Sequence, residues 1–251
     1  RNTVDVFGSD GKPKRTAVWQ CSHGSILRVD HKGNIYVADM VTPPGRAWPE
    51  FFDGKLTPAA KRGRQPADRK WLTYLYGSIV KFPPSGGAIW YGKSKGNSSS
   101  CVGKPSAEFL AKPTIKTGAH VSVGGGKAEL QGAEWYRFGF APFSIHNTSG
   151  NCSCEGGGFD VDMFGRVFYP NSGQFRVEVV DAANNMIGTF GKYGNQDSGG
   201  KDATVKKPEI PLAWPLTVVT SDTHAYVADT INRRMVKVKL GYQVEETCAV
   251  R

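Results

Sequence analysis

The chain has 251 residues, of which 32 are Lys or Arg and 22 are Asp or Glu, and its formal net charge is +10. A helical membrane span needs about 18 consecutive apolar residues, and no segment of the sequence reaches that length. The basic surplus favours acidic partners, such as a protein surface or an acidic polymer. No motif typical of helix-turn-helix, RRM or zinc-finger proteins occurs, so nucleic acid is not the expected partner.

The first half of the chain predicts β-structure interrupted by two long insertions. Residues 4–12 resemble a hairpin, and residues 77–91 predict another, because a Pro-Gly turn separates two apolar runs. Residues 128–138 are interpreted as strand. The insertions, 42–72 and 93–118, are long enough to suggest functional loops.

One phrase recurs three times in the sequence, as a short β-run, a tight turn, and a second β-run that ends in Asp or Asn. The copies are Val29–Asp39, Val161–Asn171 and Val219–Asp229. A further alternating run follows the second copy at 175–181 and the third at 234–240. Two hairpins per unit of about 40–50 residues are typical of a β-propeller blade, and an all-β sandwich is the alternative.

The final residues of the three copies, Asp39, Asn171 and Asp229, should occupy equivalent positions in different blades. A side-chain oxygen at such a position can accept hydrogen bonds from turn amides, which would explain why each copy ends in Asp or Asn.

The third copy and the run after it resemble the NHL repeat. Residues 226–238 read Tyr-Val-Ala-Asp, then Thr, then an Asn-Arg pair and an alternating strand, and residues 33–39 resemble the same element. The resemblance implies an all-β fold, a β-propeller of four to six NHL-like blades with long loop insertions. We expect one propeller domain over residues 1–251, with a fragment of a larger protein as the alternative.

Five cysteines occur, at positions 21, 101, 152, 154 and 248. Their odd number requires that at least one is free or pairs outside the chain. Three interpretations remain open: disulfides of a secreted protein, a Cys-x-Cys pair that donates thiolates to a metal, or inert buried thiols. The first agrees with the expectation of an exported protein, extracellular or periplasmic, whose chain opens on Arg1 rather than on Met.

A candidate metal site follows from superposing the repeats. Placing Asp30 on Asp162 sets His23 opposite Glu155, next to Cys154, just before the innermost strand of each blade. Imidazole, carboxylate and thiolate all suit a divalent ion such as zinc, and carboxylate also suits calcium.

A second resemblance supports the same place. Residues 23–29 resemble a histidine-bearing segment of the peptidyl-hydroxyglycine amidating lyase family, whose members hold zinc in the propeller channel. The resemblance implies a metal-dependent lyase. Independently of it, His146 is a further candidate for the site at the channel mouth.

Two functions therefore compete. The first is a non-catalytic propeller module that binds a protein or an acidic polymer through its loop face. Its expected binding residues are His23 and the basic group Arg62, Arg64 and Lys70 in the first insertion. The second is a metal-dependent lyase or hydrolase with its site at the central channel. Incomplete conservation of the histidine set among the three copies favours the first.

Overall fold

Nearly all of the regular secondary structure in the described part of the chain is β-strand, and this confirms the predicted all-β class. One short α-helix, Ala107–Leu110, lies within this part. Within this part, no helix is long and apolar enough to cross a bilayer. The computed structural model describes residues 3–19, 26–46, 48–55, 75–91, 105–120, 126–143 and 156–241.

Three antiparallel sheets follow one another along the chain. Sheet I has the strand order β3 (Leu27–Val29), β4 (Ile35–Asp39), β5 (Gly77–Phe82) and β9 (Trp135–Phe140). Sheet II has the order β10 (Asp160–Val161), β11 (Val167–Asn171), β12 (Arg176–Val180) and β13 (Met186–Phe190). Sheet III has the order β16 (Pro215–Thr220), β17 (His224–Asp229) and β18 (Arg234–Lys239).

A fourth sheet, the outer sheet, combines two strands that precede sheet I in the chain with three that lie between β5 and β9 in sequence. Its order is β1 (Val4–Phe7), β2 (Pro13–Trp19), β6 (Gly87–Tyr91), β8 (Gly126–Gln131) and β7 (Thr114–His120). A short parallel pair, β14 (Lys192–Tyr193) and β15 (Pro211–Leu212), precedes sheet III.

The predicted hairpins at the three repeats are confirmed, because β3–β4, β10–β11 and β16–β17 pair antiparallel. The prediction of a hairpin over 77–91 is wrong. A tight turn does close there, since the Gly86 N–H donates to the Pro83 carbonyl over 2.8 Å. However, the chain then runs against β2, where a Cβ on Gly86 would lie 1.8 Å from the Ala17 carbonyl oxygen. β5 therefore stays in sheet I, and β6 joins the outer sheet.

Parts of the two predicted insertions are described. Residues 42–46 and 48–55 form loop structure with one 3-10 turn, Glu50–Phe52. Residues 105–118 hold the short helix and most of β7, so this end of the second insertion is regular structure that belongs to the outer sheet.

The core lies in three layers between the four sheets. Strand β4 is buried along its whole length because its alternate residues face opposite neighbours. Ile35 and Val37 pack toward the outer sheet, whereas Tyr36 and Ala38 pack toward sheet II. A third cluster, which contains Val177, fills the space between sheets II and III. The order of layers is therefore outer sheet, sheet I, sheet II, sheet III.

One turn design recurs in the hairpins. The Oδ1 atom of Asp30 accepts the N–H groups of Lys32 and Asn34, both over 2.9 Å. Asp162 and Asp181 accept N–H groups two and four residues onward in the same way. The fourth residue of each turn has positive φ: Gly33 at 80°, Gly165 at 77° and Asn184 at 71°. This left-handed conformation favours Gly and Asn, which explains the sequence of the turns.

Two polar side chains join the three consecutive sheets. Asp160 on β10 accepts the Nε–H of Arg28 from sheet I over 2.8 Å and the N–H of Thr220 from sheet III over 2.7 Å. Ser172, at the other end of β11, donates its O–H to carbonyls of Ala141 and Pro215, with the first at 3.1 Å. Sheet II is therefore tied to both neighbours at both ends.

The equivalence of Asp39, Asn171 and Asp229 is confirmed, because they are the last residues of β4, β11 and β17, and all are buried. Asp39 accepts a backbone N–H over 2.6 Å, and Asp229 accepts two just before β16 over 2.8 and 3.0 Å. Asn171 differs, since its amide donates to Glu178 over 2.9 Å and its oxygen lies 3.4 Å from the Tyr76 hydroxyl. The expected capping by turn amides holds for the two aspartates.

Candidate functional site

The residues predicted from sequence to form a site lie outside the described residues. This applies to the binding candidates and to the metal candidates: His23, Arg62, Arg64, Lys70, His146, Cys154 and Glu155. It applies equally to the five cysteines. These assignments stay predictions, and the fit of a zinc or calcium ion to them is untested. Among the residues that are described, no three His, Cys, Asp or Glu side chains converge as metal ligands.

A cleft of about 620 Å³ opens between sheets I and II. One wall is formed by residues from 43–46 and 49–51, a loop that belongs to the described beginning of the first predicted insertion, and the other walls are β9 and the face of sheet II. The cleft is lined by charged and aromatic groups together, including three arginines, Arg46, Arg137 and Arg176. That this insertion contributes to a binding surface stays a prediction.

The floor of the cleft is a buried carboxylate. Glu178 on β12 has a side chain that is 7% exposed, yet its two oxygens accept several hydrogen bonds. Its Oε2 accepts the Tyr169 O–H over 2.7 Å, and its Oε1 accepts the Asn171 amide over 2.9 Å. Arg176 donates from Nε and Nη2 over 3.0 and 2.6 Å. The burial cost of the charge is therefore offset by an ion pair and by neutral donors.

Arg137 on β9 is placed by this floor. Its Nε–H donates to the Tyr169 hydroxyl oxygen over 3.1 Å. Burial raises the pKa of Tyr169 well above its ordinary value, and the Glu178 carboxylate raises it further, against a smaller opposing effect of Arg137. The hydroxyl therefore keeps its proton for Glu178 and offers a lone pair to Arg137. In the part of the chain that is described, no carboxylate lies within ion-pair distance of Arg137.

The loop wall carries a cation that is already paired. Arg46 lies 3.0 Å from Asp53 and 3.8 Å from Glu50. Since the side chains of Glu50 and Asp53 are largely exposed, the pairs contribute little to stability. They do leave Arg46 partly neutralised, and Arg137 is the cation of the cleft with the least compensation from described residues.

Aromatic rings close the end of the cleft nearest the loop. Phe51 packs against Phe52 with ring centroids 4.2 Å apart, and both meet Tyr76 edge-on at 5.8 and 5.7 Å. Phe138 completes the cluster at 6.5 Å from Tyr76. Burial raises the pKa of Tyr76, so its hydroxyl stays protonated at ordinary pH. A Cβ on Gly173 would lie 1.9 Å from that hydroxyl oxygen, and only glycine fits there.

Sequence reasoning did not predict this cleft. The run 175–181 is predicted as a strand, and strand alternation places Glu178 on the same side as Arg176, as on a solvated face. The remaining residues of the run are apolar except for the last, Asp181, and this is the sequence signal for burial. Arg137 lies in a segment interpreted as strand, with nothing to distinguish its charge from other basic residues.

No protein-family model matches the chain, and no curated protein matches it.

The arrangement can bind an anionic group next to a flat or apolar one. A guanidinium presents several N–H donors in one plane and suits carboxylate or phosphate oxygens. The neighbouring rings offer apolar contact, and the lining residues on β9 and sheet II are held by strands rather than by loops. No Ser, Cys or His is present among the described residues that line the cleft, so these residues hold no nucleophile of those types.

Proposed function

We propose that this protein is a non-catalytic binding module with a β-propeller architecture of NHL type. The proposal of a propeller is supported by three successive sheets whose first strands, β3, β10 and β16, are linked through Asp160. It is also supported by the equivalent last residues of β4, β11 and β17. Each sheet runs back and forth from its first strand, which is the arrangement of a propeller blade.

The partner is an acidic macromolecule, and the cleft between sheets I and II is its site. The observation that carries this proposal is the position of Arg137 at the cleft, held by Tyr169 and without an ion-pair partner among the described residues. Glu178 does not cancel its charge, since Glu178 is paired with Arg176. A partner carboxylate near the rings would find a cation and an apolar wall together.

The test is a binding titration with fluorescein-labelled poly-glutamate as the probe, and with poly-lysine and neutral dextran as comparisons. Arg137→Gln removes the charge, and we expect binding of poly-glutamate to weaken about tenfold, since a charge-assisted contact is lost. Lys32→Gln is the matched control, because Lys32 is exposed in the β3–β4 turn and carries the same charge. Equal weakening by both substitutions would mean that net charge, and not the cleft, attracts the polymer.

The alternative, a metal-dependent lyase or hydrolase, stays a prediction, because its residues lie outside the described part and no described contact favours it. Elemental analysis of the purified protein decides between the two functions when it is combined with His23→Ala. Loss of both bound metal and an activity in that variant would overturn the binding-module proposal.

A further inference from the structure

Within the described part of the chain, sheet III ends on a strand that is paired on one side only. Sheets I and II have four strands each, whereas sheet III has three, with β18 outermost. The register between β17 and β18 is uninterrupted, from Asp229 opposite Arg234 to His224 opposite Lys239. Among the described residues, none pairs with the other side of β18.

The register tells which backbone groups of β18 are unused. The Leu240 N–H donates to the Thr223 carbonyl over 2.9 Å, and this residue pair continues the register of the ladder. Hydrogen-bonded pairs alternate along an antiparallel ladder, so the bonds to β17 come from every second residue counted back from Leu240. The N–H and C=O groups of Met235, Lys237 and Lys239 therefore point away from β17, toward the open edge.

The same three residues present exposed side chains on one face of the sheet. Met235 is 64% exposed, and Lys237 and Lys239 are exposed as well. No described carboxylate lies within ion-pair distance of either lysine, and Lys237 lies 5.9 Å from the centre of the Tyr226 ring. Partial burial lowers the pKa of the neighbouring His224, and both lysines lower it further, which reflects the positive potential of this face.

We propose that β18 binds an extended acidic peptide segment, which adds to sheet III as a fourth strand. Residues directly opposite each other on neighbouring strands share a face. An antiparallel partner would therefore place acidic side chains opposite Lys239 and Lys237, two residues apart, and an apolar side chain opposite Met235. The open backbone groups supply affinity, and the alternate side chains supply specificity. This site is separate from the cleft, since β18 contributes no residue to it.

The probe is a labelled peptide with the sequence Thr-Glu-Val-Glu-Val-Leu-Thr, titrated by fluorescence anisotropy at low and at high salt. A peptide with Lys in place of Glu should bind at least about tenfold more weakly, because like charges would then face each other. Two further peptides carry methyl groups on alternate backbone nitrogens. The peptide whose methylated nitrogens face β18 should lose binding, and the peptide whose methylated nitrogens face away from β18 should keep it.

Two substitutions at one position separate the backbone from the charge. Lys237→Pro removes an outward N–H, and proline is tolerated at that place on an edge strand. We expect it to weaken binding at least about tenfold, since it also blocks close approach of the partner strand. Lys237→Gln keeps the N–H and removes the charge, so we expect about threefold weaker binding and a smaller dependence on salt. Unchanged binding by Lys237→Pro, with the fold intact by circular dichroism, would overturn the proposal.

Further controls identify other outcomes. Lys32→Gln should leave peptide binding unchanged, because Lys32 lies outside both the cleft and β18. Peptide binding that Arg137→Gln abolishes and Lys237→Pro leaves intact would assign the peptide to the cleft and overturn the β18 site. Absence of any peptide binding would mean that Lys237 and Lys239 serve only to protect the edge from association. A concentration-dependent dimer in sedimentation that Lys237→Pro converts to monomer would assign the edge to a second copy of the chain and overturn the acidic partner.

Discussion

Removal of the Asp229 carboxylate should destabilise sheet III more than any exposed substitution. Asp229 is completely buried, and its Oδ1 accepts the N–H groups of Ala213 and Trp214 over 3.0 and 2.8 Å. Its Oδ2 accepts the Asn232 amide over 2.6 Å and lies 3.3 Å from two nitrogens of Arg234. Replacement by Ala leaves the two backbone donors and the Asn232 amide without this acceptor. The Asn232 amide keeps the Gly194 carbonyl as an acceptor at 2.9 Å, so the two backbone N–H groups carry the cost. At about 1–3 kcal/mol for each buried unsatisfied donor, we expect Asp229→Ala to lower the free energy of unfolding by about 2–6 kcal/mol.

A second substitution at the same position should cause a smaller loss of stability. In Asp229→Asn, the remaining oxygen can still accept the two backbone N–H groups, but the new NH₂ faces the donors of Asn232 and Arg234. Arg234 is 40% exposed, so loss of its ion pair is screened by solvent, and we expect a loss of about 1–2 kcal/mol.

The assay is urea unfolding followed by tryptophan fluorescence and far-ultraviolet circular dichroism. Asp222→Ala is the control, because Asp222 is exposed in the adjacent β16–β17 turn. If Asp229→Ala lies within about 1 kcal/mol of this control, the reasoning that the last residue of β17 caps sheet III is refuted.

Three further predictions concern pH, packing and thiols. Burial acts to raise the pKa of Asp30, but hydrogen bonds from Asn34, Tyr36 and Lys32 outweigh it and hold this pKa below its ordinary value of 3.8. The ionised Asp30 carboxylate therefore stabilises the fold fully above pH 3.8, and this stabilisation is lost as the pH falls through the folded-state pKa. Urea unfolding should show that the free energy of unfolding declines below about pH 4, and that the decline is smaller in Asp30→Asn. Gly173→Ala should destabilise by about 2–4 kcal/mol through its clash with Tyr76, and the double variant with Tyr76→Phe should recover part of this loss in a double-mutant cycle; an additive result would mean that the clash lies elsewhere. Denatured, unreduced protein should show fewer than five free thiols among its five cysteines, and a count of five would rule out the disulfide.

The hairpins could be predicted from sequence because their determinants are local. In 29–39 and 161–171, an Asp opens the turn, a Gly takes its fourth position, and apolar residues alternate on both sides. The side-chain oxygen of that Asp satisfies turn amides without any distant partner. Because this pattern depends on local residues, it also predicted that Asp39, Asn171 and Asp229 occupy equivalent positions.

The pairing of residues 77–91 could not be predicted in the same way. The turn itself could be predicted from its local residues, since it forms at Gly86. What decides the outcome is competition from distant partners: β4 and β9 hold β5, while β2 and β8 hold β6. Neither partner of β6 is adjacent to it in sequence, and strand alternation carries no information about which edge a strand joins.

The cleft escaped prediction for a related reason. Glu178 follows Arg176 at an interval of two, which a strand pattern cannot distinguish from a pair of solvated residues. It is buried because the Tyr169 hydroxyl and the Asn171 amide reach it from β11, and because β9 brings Arg137 over the same face. All of these contacts cross between strands or sheets. The pattern of a single strand therefore does not predict that these residues meet in one cleft.

The order of contacts at the cleft decides which charge a ligand meets. Arg176 lies against Glu178 on the same strand and neutralises it locally, and Tyr169 stands between that pair and Arg137. Tyr169 donates its proton to the carboxylate and accepts from the guanidinium, so it fixes the orientation of Arg137 without cancelling its charge. These groups are carried by β9, β11 and β12, and sheet II is tied to both neighbours by Asp160 and Ser172, so the guanidinium of Arg137 is held in place before any ligand enters. Under the proposed function, this preorganisation would keep the loss of conformational entropy on binding small.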